Sequence, residues 1–249
     1  MIQYKTKEEI KIMVDAGKML RDVVQELMPE MREGVTTDEI DKRAGKLIEK
    51  VGGTASFQTV KDYFWNICIP INEQIVHTPP SERTIKAGDM VTLDIGLVYK
   101  GYHVDYADTV LIGDNDEQKV RFLQKGKQTL QQAIELVRVG HRLGEVSQFI
   151  QQEIEGAGYH IVKELTGHGV GRSLHEEPYV LNYLDRPVEK TLEIKPGLTI
   201  AVEVIYAMGT EKMRYEPGDD WSIITKDKSL SACFEHSVAI TDENTIILT

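Results

Sequence analysis

The chain has 249 residues, of which 41% are hydrophobic and 28% are charged, a composition that excludes a disordered chain and is typical of a folded soluble protein. Aspartate and glutamate (40) outnumber lysine and arginine (29), and the net charge of −11 argues against a protein that grips the phosphate backbone of nucleic acid. Two cysteines exclude a disulfide scaffold and fit the reducing cytoplasm, and the sequence contains neither a signal-peptide pattern nor the ~18-residue apolar run that a membrane span needs.

Two amphipathic helices are predicted at the start of the chain. Thr6 and Glu9 form a capping-box pattern at the start of the first helix, whose apolar positions recur at helical spacing until Pro29. The second helix is predicted to begin at the threonine pair 36–37 and to end at the glycine pair 52–53, because glycine commonly follows the last turn of a helix.

The second half of the chain repeats the pattern of the first half. Helical periodicity returns over about 117–138 and 144–156, and two strand-like segments also recur in the same order. The paired segments are IKAGDMVTLDIG (85–96) with IKPGLTIAVEVI (194–205), and VDYADTVLIGDN (104–115) with FEHSVAITDEN (234–244). We therefore predict an internal duplication in which each half runs helix, helix and then strands.

The expected architecture is one α+β domain that spans residues 1–249. No proline- or serine-rich linker and no block of like charge separates the halves, so two independently folded domains explain the sequence less well. Helices are expected to cover one face of a largely antiparallel sheet, with the halves related by a pseudo-two-fold axis. The duplication pairs Asp94 with Glu203 and Asp105 with Glu235 at matching strand positions.

Two of these acids lie on a predicted hairpin. The segment VTLDIGLVYKGYHVDYADTV reads as two strands around a turn at 99–101, and a turn centred between 99 and 100 would place Asp94 directly opposite Asp105. Carboxylates that face each other on a sheet repel, and burying them costs several kcal/mol unless a cation compensates. A bound metal ion is one interpretation, and a lysine partner or solvent exposure for one aspartate is the alternative.

The other two acids lie within apolar runs. Glu203 is in LTIAVEVIYAM and Glu235 is in SACFEHSVAI, both with strand character. An isolated glutamate in a core strand indicates an ion pair or a functional site, and no nearby lysine or arginine stands out as its partner.

A histidine completes the candidate metal site. His168 lies in TGHGVGR, where the glycines are expected to let the backbone approach a ligand closely. A lone histidine is more often structural, but four core acids in the same chain favour a ligand. One imidazole and four carboxylates suit Mn, Fe, Co or Zn in a paired site, and the expected ligands are Asp94, Asp105, His168, Glu203 and Glu235.

These residues carry a resemblance that covers nearly the whole chain. The sequence resembles the type I methionine aminopeptidases of the pita-bread metallopeptidase superfamily. The matching motifs are NEQIVHTPP around His77, TLDIG and HVDYADT with the two aspartates, GHGVGRSLHEEP with His168 and His175, AVEV with Glu203, and WSIITKDKSLSACFEHS with Trp221 and Glu235. The resemblance implies a pita-bread fold, two divalent metal ions (Co, Mn, Fe or Zn) and removal of the N-terminal methionine from nascent chains whose second residue is small.

The resemblance also implies roles for the metal ligands. Asp94 and Asp105 would bind one ion, and His168 and Glu203 would bind the other. Asp105 and Glu235 would bridge the two ions, and Glu203 would also shuttle a proton.

Substrate contacts are implied in the same way. His175 would hydrogen-bond the scissile carbonyl group, and His77 would face the scissile amide and the leaving group. The methionine pocket would include Tyr63, Cys68 and Trp221, although side chains of these types are more often plain core residues. His77 taken alone could equally be a loop histidine with only structural contacts.

The sequence departs from the family pattern at three points. Leu174 stands where the family usually has Phe, Val204 follows Glu203 where the family commonly has Pro, and VHTPP replaces the usual Cys-His-Gly-Ile-Pro. None of these departures removes a ligand, but each bears on the shape of the substrate pocket.

Two other functions remain open on the same fold. One is an X-Pro dipeptidase or a related hydrolase, whose relatives normally carry an extra N-terminal domain, and the other is a non-catalytic binding protein, whose relatives lose ligands. We further expect a cytoplasmic monomer that acts on nascent peptides, with the ribosome as a candidate partner and no specific nucleic acid or membrane partner.

Overall fold

The helices form where the sequence predicts them. The computed structural model describes residues 2–249, and within that range the α-helices are α1 (Lys7–Leu27), α2 (Thr37–Lys50), α3 (Glu117–Leu136) and α4 (Leu143–Gly156). The capping box of α1 is confirmed, since the Glu9 amide donates to the Thr6 hydroxyl at 3.2 Å and the Thr6 amide donates to the Glu9 carboxylate at 2.7 Å. None of these helices in the described range is long and apolar enough to cross a membrane.

The strands form one large antiparallel sheet and one small one, which confirms the predicted fold class. The large sheet has the order β1-β4-β5-β12-β9-β7-β8, with β2 beside β4, β6 beside β9 and β13 beside β12, and the small sheet has the order β10-β11-β3. The bounds are β1 Thr54–Ala55, β2 Ile67–Cys68, β3 Gln74–Val76, β4 Met90–Tyr99, β5 Tyr102–Leu111, β6 His160–Ile161, β7 Gly167–Gly169, β8 Glu176–Val180, β9 Thr199–Ala207, β10 Met213–Tyr215, β11 Ile223–Thr225, β12 Ser231–Ile240 and β13 Thr245–Ile247.

Side chains alternate between the two faces of the central strands, so one face builds the core and the other carries the acids. Helix α1 packs on β4 and β5 with α2 beside it, and α3 packs on β9 and β12 with α4 beside it. The apolar residues that face these helices flank the acids in sequence: Leu93, Ile95, Val104, Val202, Val204 and Phe234. Because successive side chains on a strand point to opposite faces, the acids between them point away from the helices.

The turn of the first hairpin lies one residue further along than predicted. Tyr99 pairs with Tyr102, so Lys100 and Gly101 form a two-residue turn, and both have positive φ (49° and 78°), as a type I′ turn requires. As a result Asp94 faces Ala107 and not Asp105, so the predicted direct opposition of the aspartates is wrong. They lie on the same face as diagonal neighbours.

The duplicated strands match in order but not in register. The strands β4 and β5 of the first half lie beside β12 and β9 of the second half, in the symmetric order β4-β5-β12-β9. Glu203 and Glu235 face each other directly, whereas Asp94 and Asp105 are offset by two residues. The acids therefore lie on equivalent strands of the two halves, as predicted, but the residues that pair across those strands are not equivalent.

Close packing of α3 on the sheet yields a stability prediction. A Cβ atom at Gly126 would lie 2.4 Å from the hydroxyl oxygen of Tyr206, which is fully buried, whereas a Cβ atom at Gly156 would meet nothing within 4 Å. We expect Gly126→Ala to lower the free energy of unfolding by about 1–3 kcal/mol through overpacking. The matched control Gly156→Ala should raise it by up to about 1 kcal/mol, since alanine restricts the unfolded chain. Urea denaturation measures both, and equal effects would contradict the packing argument.

Candidate active site

The acidic and histidine side chains come from two neighbouring rows across the sheet. The first row crosses β4, β5, β12 and β9 through Asp94, Ala107, Glu235 and Glu203. The second row lies two residues away and crosses β5, β12, β9 and β7 through Asp105, Ser237, Ala201 and His168. The positions between the polar residues hold alanine or serine, so space is left above this face of the sheet.

The five predicted ligands converge there. Asp105, His168 and Glu235 each offer one ligand atom within 4.8 Å of those of the other two. The Nε2 atom of His168 lies 3.4 Å from Oε1 of Glu203, and Asp94 lines the same cavity. The Nδ1–H group of His168 donates to the carbonyl oxygen of Gly169 at 2.9 Å, which leaves Nε2 as the lone-pair atom directed at the acids.

The four carboxylates have no cationic side chain to balance them. The ion pairs within residues 2–249 give none of them a lysine or arginine partner, and Oε1 of Glu235 is buried without a hydrogen bond. Burial raises the pKa of Asp105 to about 7. Burial, followed by repulsion from neighbouring carboxylates, raises the pKa values of Asp94, Glu203 and Glu235 well above their ordinary range.

This donor set fits divalent metal ions. Four oxygen ligands and one imidazole in a paired arrangement are what Mn, Fe, Co or Zn accept, and an ion would also satisfy the unpaired oxygen of Glu235. Without a cation, the folded chain must keep several of these groups protonated or leave buried charges facing one another.

The backbone of Asp105 is fixed from both sides. Its amide donates to the Ser237 hydroxyl at 2.8 Å, and its carbonyl oxygen accepts from the hydroxyls of Ser237 and Thr249, both at 3.0 Å. Such contacts orient a ligand side chain before any ion binds. Sequence reasoning missed Ser237 and Thr249, because nothing in the pattern relates the last residue to β5.

Two glycines that flank His168 allow close packing of neighbouring strands. A Cβ atom at Gly167 would lie 2.4 Å from the carbonyl oxygen of Ala201, and one at Gly169 would lie 2.3 Å from that of Glu177. These glycines let β7 lie close to β9 and β8, a packing role that sequence reasoning did not foresee, and the predicted close approach of a ligand stays a prediction.

An apolar pocket adjoins the acids. The cavity encloses ≈ 660 Å³ including its open mouth, a size that suits a small side chain and part of a peptide. The ring of Tyr63 makes an edge contact with that of Trp221, with centroids 5.0 Å apart. Cys68 is the cross-strand neighbour of Asp94, so the pocket begins beside the carboxylates.

The structure brings the predicted pocket residues together and adds others. Tyr63, Cys68 and Trp221 line the cavity as predicted. The wall also contains residues that sequence reasoning did not assign to the pocket: Phe57, Val60, Val76, Leu174 and Cys233. Cys233 could have been found, because it precedes Glu235 by two residues and so shares its face of β12.

The loop that carries Tyr63 is tied to α2. The carboxylate of Asp41 accepts from the amides of Asn66 and Ile67 at 2.7 and 3.2 Å. The Tyr63 hydroxyl donates to the carbonyl oxygen of Ile67 at 2.8 Å, so the ring is held from both ends of the loop.

Two further histidines face the cavity. The ring of His175 lies edge-on to that of His168, with centroids 4.4 Å apart, and His77 lines the cavity from the turn after β3. Both residues are exposed overall, but their rings lie among the side chains that line the cavity, which limits the hydration of each imidazole. Loss of hydration therefore lowers the pKa of His175 and, with repulsion from His175, lowers the pKa of His77 to about 4. Both are neutral at pH 7 and can donate or accept a hydrogen bond.

The backbone at His77 is in an uncommon conformation. Its φ is 61°, a region that non-glycine residues rarely occupy and that often marks functional loops. The predicted site residues thus all line one cavity, and none lies elsewhere in the fold.

Comparisons with known proteins agree with this geometry. The model of metallopeptidase family M24 matches residues 11–242. The chain is 34% identical to methionine aminopeptidase 1 of Bacillus subtilis over 249 residues, covering 100% of this chain and 99% of that one. It is 33% identical to methionine aminopeptidase of Escherichia coli K12 over 250 residues, covering 100% and 94%.

Solved structures show the same relationship. The crystal structure of a methionine aminopeptidase from Thermotoga maritima superposes with a TM-score of 0.96 at 32% identity and covers 100% of this chain and 99% of that one. A prolidase from Pyrococcus furiosus superposes with a TM-score of 0.80 at 24% identity, covering 99% of this chain but 65% of that one, which shows a shared fold alone.

The raised carboxyl pKa values predict how the metal-free protein responds to pH. Above pH 7 the unfolded chain has released its carboxyl protons while the folded chain still holds several, so the melting temperature in EDTA should fall as pH rises from 7 to 9. The buried histidines act in the opposite direction, but only below about pH 6.5, where the unfolded chain binds their protons.

Calorimetry across this range, with Glu235→Gln as the control, measures the effect. Removing one acid should make the fall shallower. Saturating Mn²⁺ should remove the carboxyl part of it, because the ion binds the deprotonated carboxylates, and leave only the part due to the buried thiols of Cys68 and Cys233. A melting temperature in EDTA that rises above pH 7 would contradict the assignment.

Proposed function

The chain belongs to metallopeptidase family M24 and is an enzyme of the methionine aminopeptidase type, and we propose that it removes methionine from nascent proteins and peptides whose second residue is small. One observation carries the proposal: four carboxylates without a cationic partner and one oriented imidazole lie at the end of an apolar pocket. This arrangement joins a divalent metal site to a binding site for an unbranched apolar side chain.

The proposed cofactors are two divalent ions of Co, Mn, Fe or Zn. Asp94 and Asp105 would hold one, His168 and Glu203 the other, and Asp105 and Glu235 would bridge them. When bound, such ions lower the pKa of water and polarise a carbonyl group. The 4.8 Å grouping of Asp105, His168 and Glu235 supports this assignment.

Glu203 is proposed to move the proton. In the metal-free chain, burial and the neighbouring charge of Asp105 raise its pKa, so this carboxyl group has a higher proton affinity than an exposed glutamate. Its Oε1 atom lies 3.4 Å from the imidazole of His168 and faces the cavity. The group that accepts a proton from water can therefore also give one to the leaving amine.

His175 and His77 are proposed to bind the scissile peptide group. Because both are neutral at pH 7, each can donate an N–H to a carbonyl oxygen or accept from an amide. His175 is assigned to the carbonyl oxygen, where negative charge develops, and His77 to the amide and leaving group.

The pocket is proposed to select methionine by its shape and by contacts with the polarizable sulfur atom of the thioether. Aromatic edges at Tyr63 and Trp221 and the thiol of Cys68 surround a space that a flexible thioether can fill. Leu174, which replaces the usual Phe, keeps this wall apolar with a smaller, flexible side chain.

The cellular setting is proposed on two grounds. Both cysteines are free and buried, which fits the reducing cytoplasm. Nascent chains as substrates make the ribosome a candidate partner, and we propose that the enzyme acts as a monomer.

A peptide assay tests the proposed substrate class. After EDTA treatment and addition of Mn²⁺ or Co²⁺, Met-Ala peptides should release methionine, whereas Met-Lys peptides should be poor substrates. Xaa-Pro peptides serve as the competing substrates. Preference for them would indicate a prolidase-like enzyme, and no metal-dependent release of methionine would overturn the proposal.

Two variants test the assigned roles. Glu203→Gln and His175→Ala should each lower kcat by ~10²-fold or more, because each removes a group that acts on the reacting atoms. The matched controls Glu189→Gln and His160→Ala change exposed residues outside the cavity and should leave kcat unchanged. Near-normal turnover in either site variant, with circular dichroism showing an intact fold, would refute that role.

A further inference from the structure

A lysine from the segment before α1 is buried beside the loop that carries His175. The side chains of Lys5 and Glu176 are only 4% and 6% exposed, and the Nζ atom of Lys5 donates to Oε2 of Glu176. Nζ also donates to the carbonyl oxygen of Gln3 at 2.9 Å. Lysine is almost never buried without a partner, so this contact is a specific one.

The same carboxylate closes the loop on itself. Oε1 of Glu176 accepts from the amide of Ser173 at 3.0 Å, and the carbonyl oxygen of Ser173 accepts from the amide of Gly171 at 3.1 Å. Glu176 therefore ties the beginning of the 173–176 turn to its end. His175 lies within that turn, directly before Glu176.

Two glycines make the room that Lys5 occupies. A Cβ atom at Gly171 would lie 2.3 Å from Cε and 2.6 Å from Nζ of Lys5. Gly197 has a φ of +89°, accepts from the Lys5 amide at 2.7 Å, and a Cβ there would lie 2.8 Å from the Lys5 carbonyl oxygen. Two separate parts of the second half thus accommodate Lys5: Gly171 leaves space for its side chain, and Gly197 leaves space for its backbone.

A second contact joins the same two segments. The carboxylate of Glu9, at the start of α1, accepts from Arg172 at 2.6 Å and from the Tyr102 hydroxyl at 2.5 Å. The Tyr102 hydrogen bond and the Thr6 amide lower the pKa of Glu9 to about 2, so it is charged at neutral pH. The side chain of Arg172 is 59% exposed, so this contact is weaker than the buried one.

We propose that Lys5 is a positioning residue, whose ion pair with Glu176 fixes the loop that presents His175 to the substrate. Replacing a buried ion pair by apolar residues is often neutral for stability, so stability alone does not explain this pair, whereas fixing a geometry does. The inference rests on the role proposed for His175 and adds a residue far from it in sequence.

Lys5→Met tests the inference, because methionine keeps the length of the side chain and removes the charge. We expect kcat to fall by ~10- to 100-fold as His175 loses its fixed orientation, with KM and metal affinity within about threefold of wild type, since the pocket and ligands are untouched. Lys5→Arg should restore most of kcat. Lys7→Met is the matched control, because Lys7 is 86% exposed, and it should behave as wild type.

The double variant Lys5→Met/Glu176→Gln separates positioning from stability. It leaves no unpaired buried charge, so it should recover the melting temperature lost by Lys5→Met while kcat stays low. The amide oxygen of the new side chain can still accept from the Ser173 amide, so the turn itself can close. Wild-type kcat in a stable double variant would overturn the proposal.

Hydrogen exchange keeps the test independent of turnover. In Lys5→Met the amides of residues 173–176 should exchange roughly tenfold faster or more, while those of β9 exchange at the wild-type rate. The control Leu20→Ala weakens the core and should lower the global stability without selectively accelerating exchange in this loop. Unchanged exchange in the loop would refute the positioning role. Failure of wild type to release methionine would instead overturn the proposed function, and the exchange result would still decide the loop contact.

Discussion

Four buried carboxylates repel one another on one face of a sheet, and the rest of the molecule is arranged around that constraint. No lysine or arginine within residues 2–249 pairs with them, so the fold holds a set of charges that a cation must complete. The helices pack on the opposite face, where alternate residues of the same strands build the core. Core and site are therefore two sides of one sheet, and a shift of one residue in any central strand would exchange them.

Hydrogen bonds from neighbouring residues hold the mutually repelling acids and His168 in place. Ser237 and Thr249 hold the backbone of Asp105 by hydrogen bonds, and the carbonyl oxygen of Gly169 fixes the tautomer of His168. Neutral histidines at the cavity add hydrogen-bonding groups without adding charge. The site thus concentrates acidic groups in the carboxyl cluster and keeps the histidines of the cavity uncharged, which leaves a divalent ion as the strongest available partner.

Periodicity in the sequence was enough to predict the helices, the strands and the buried acids, whereas the substrate-contact residues were assigned through the family resemblance. It could not set the register of the first hairpin, because Tyr99, Lys100 and Gly101 allow more than one turn centre and only the φ angles of Lys100 and Gly101 decide. It also could not show the strand-packing role of Gly167 and Gly169, whose close neighbours are strands distant in sequence. Contacts such as those of Lys5 and Thr249 join the two ends of the chain to the site, and no local pattern encodes them.

The difference in strand register between the two halves makes the site asymmetric. Glu203 and Glu235 face each other, whereas Asp94 and Asp105 are displaced by two residues, so a duplicated scaffold presents two unequal pairs of acids. His168 and His175 both come from the second half, and the pocket wall at Tyr63 and Cys68 comes from the first. Trp221 and Leu174 of the second half complete that wall, and His77 of the first half adds a third histidine, so both halves contribute to the cavity but with different residue types. The duplication builds the sheet that carries the acids, and the departures from symmetry make the two pairs of acids unequal in geometry.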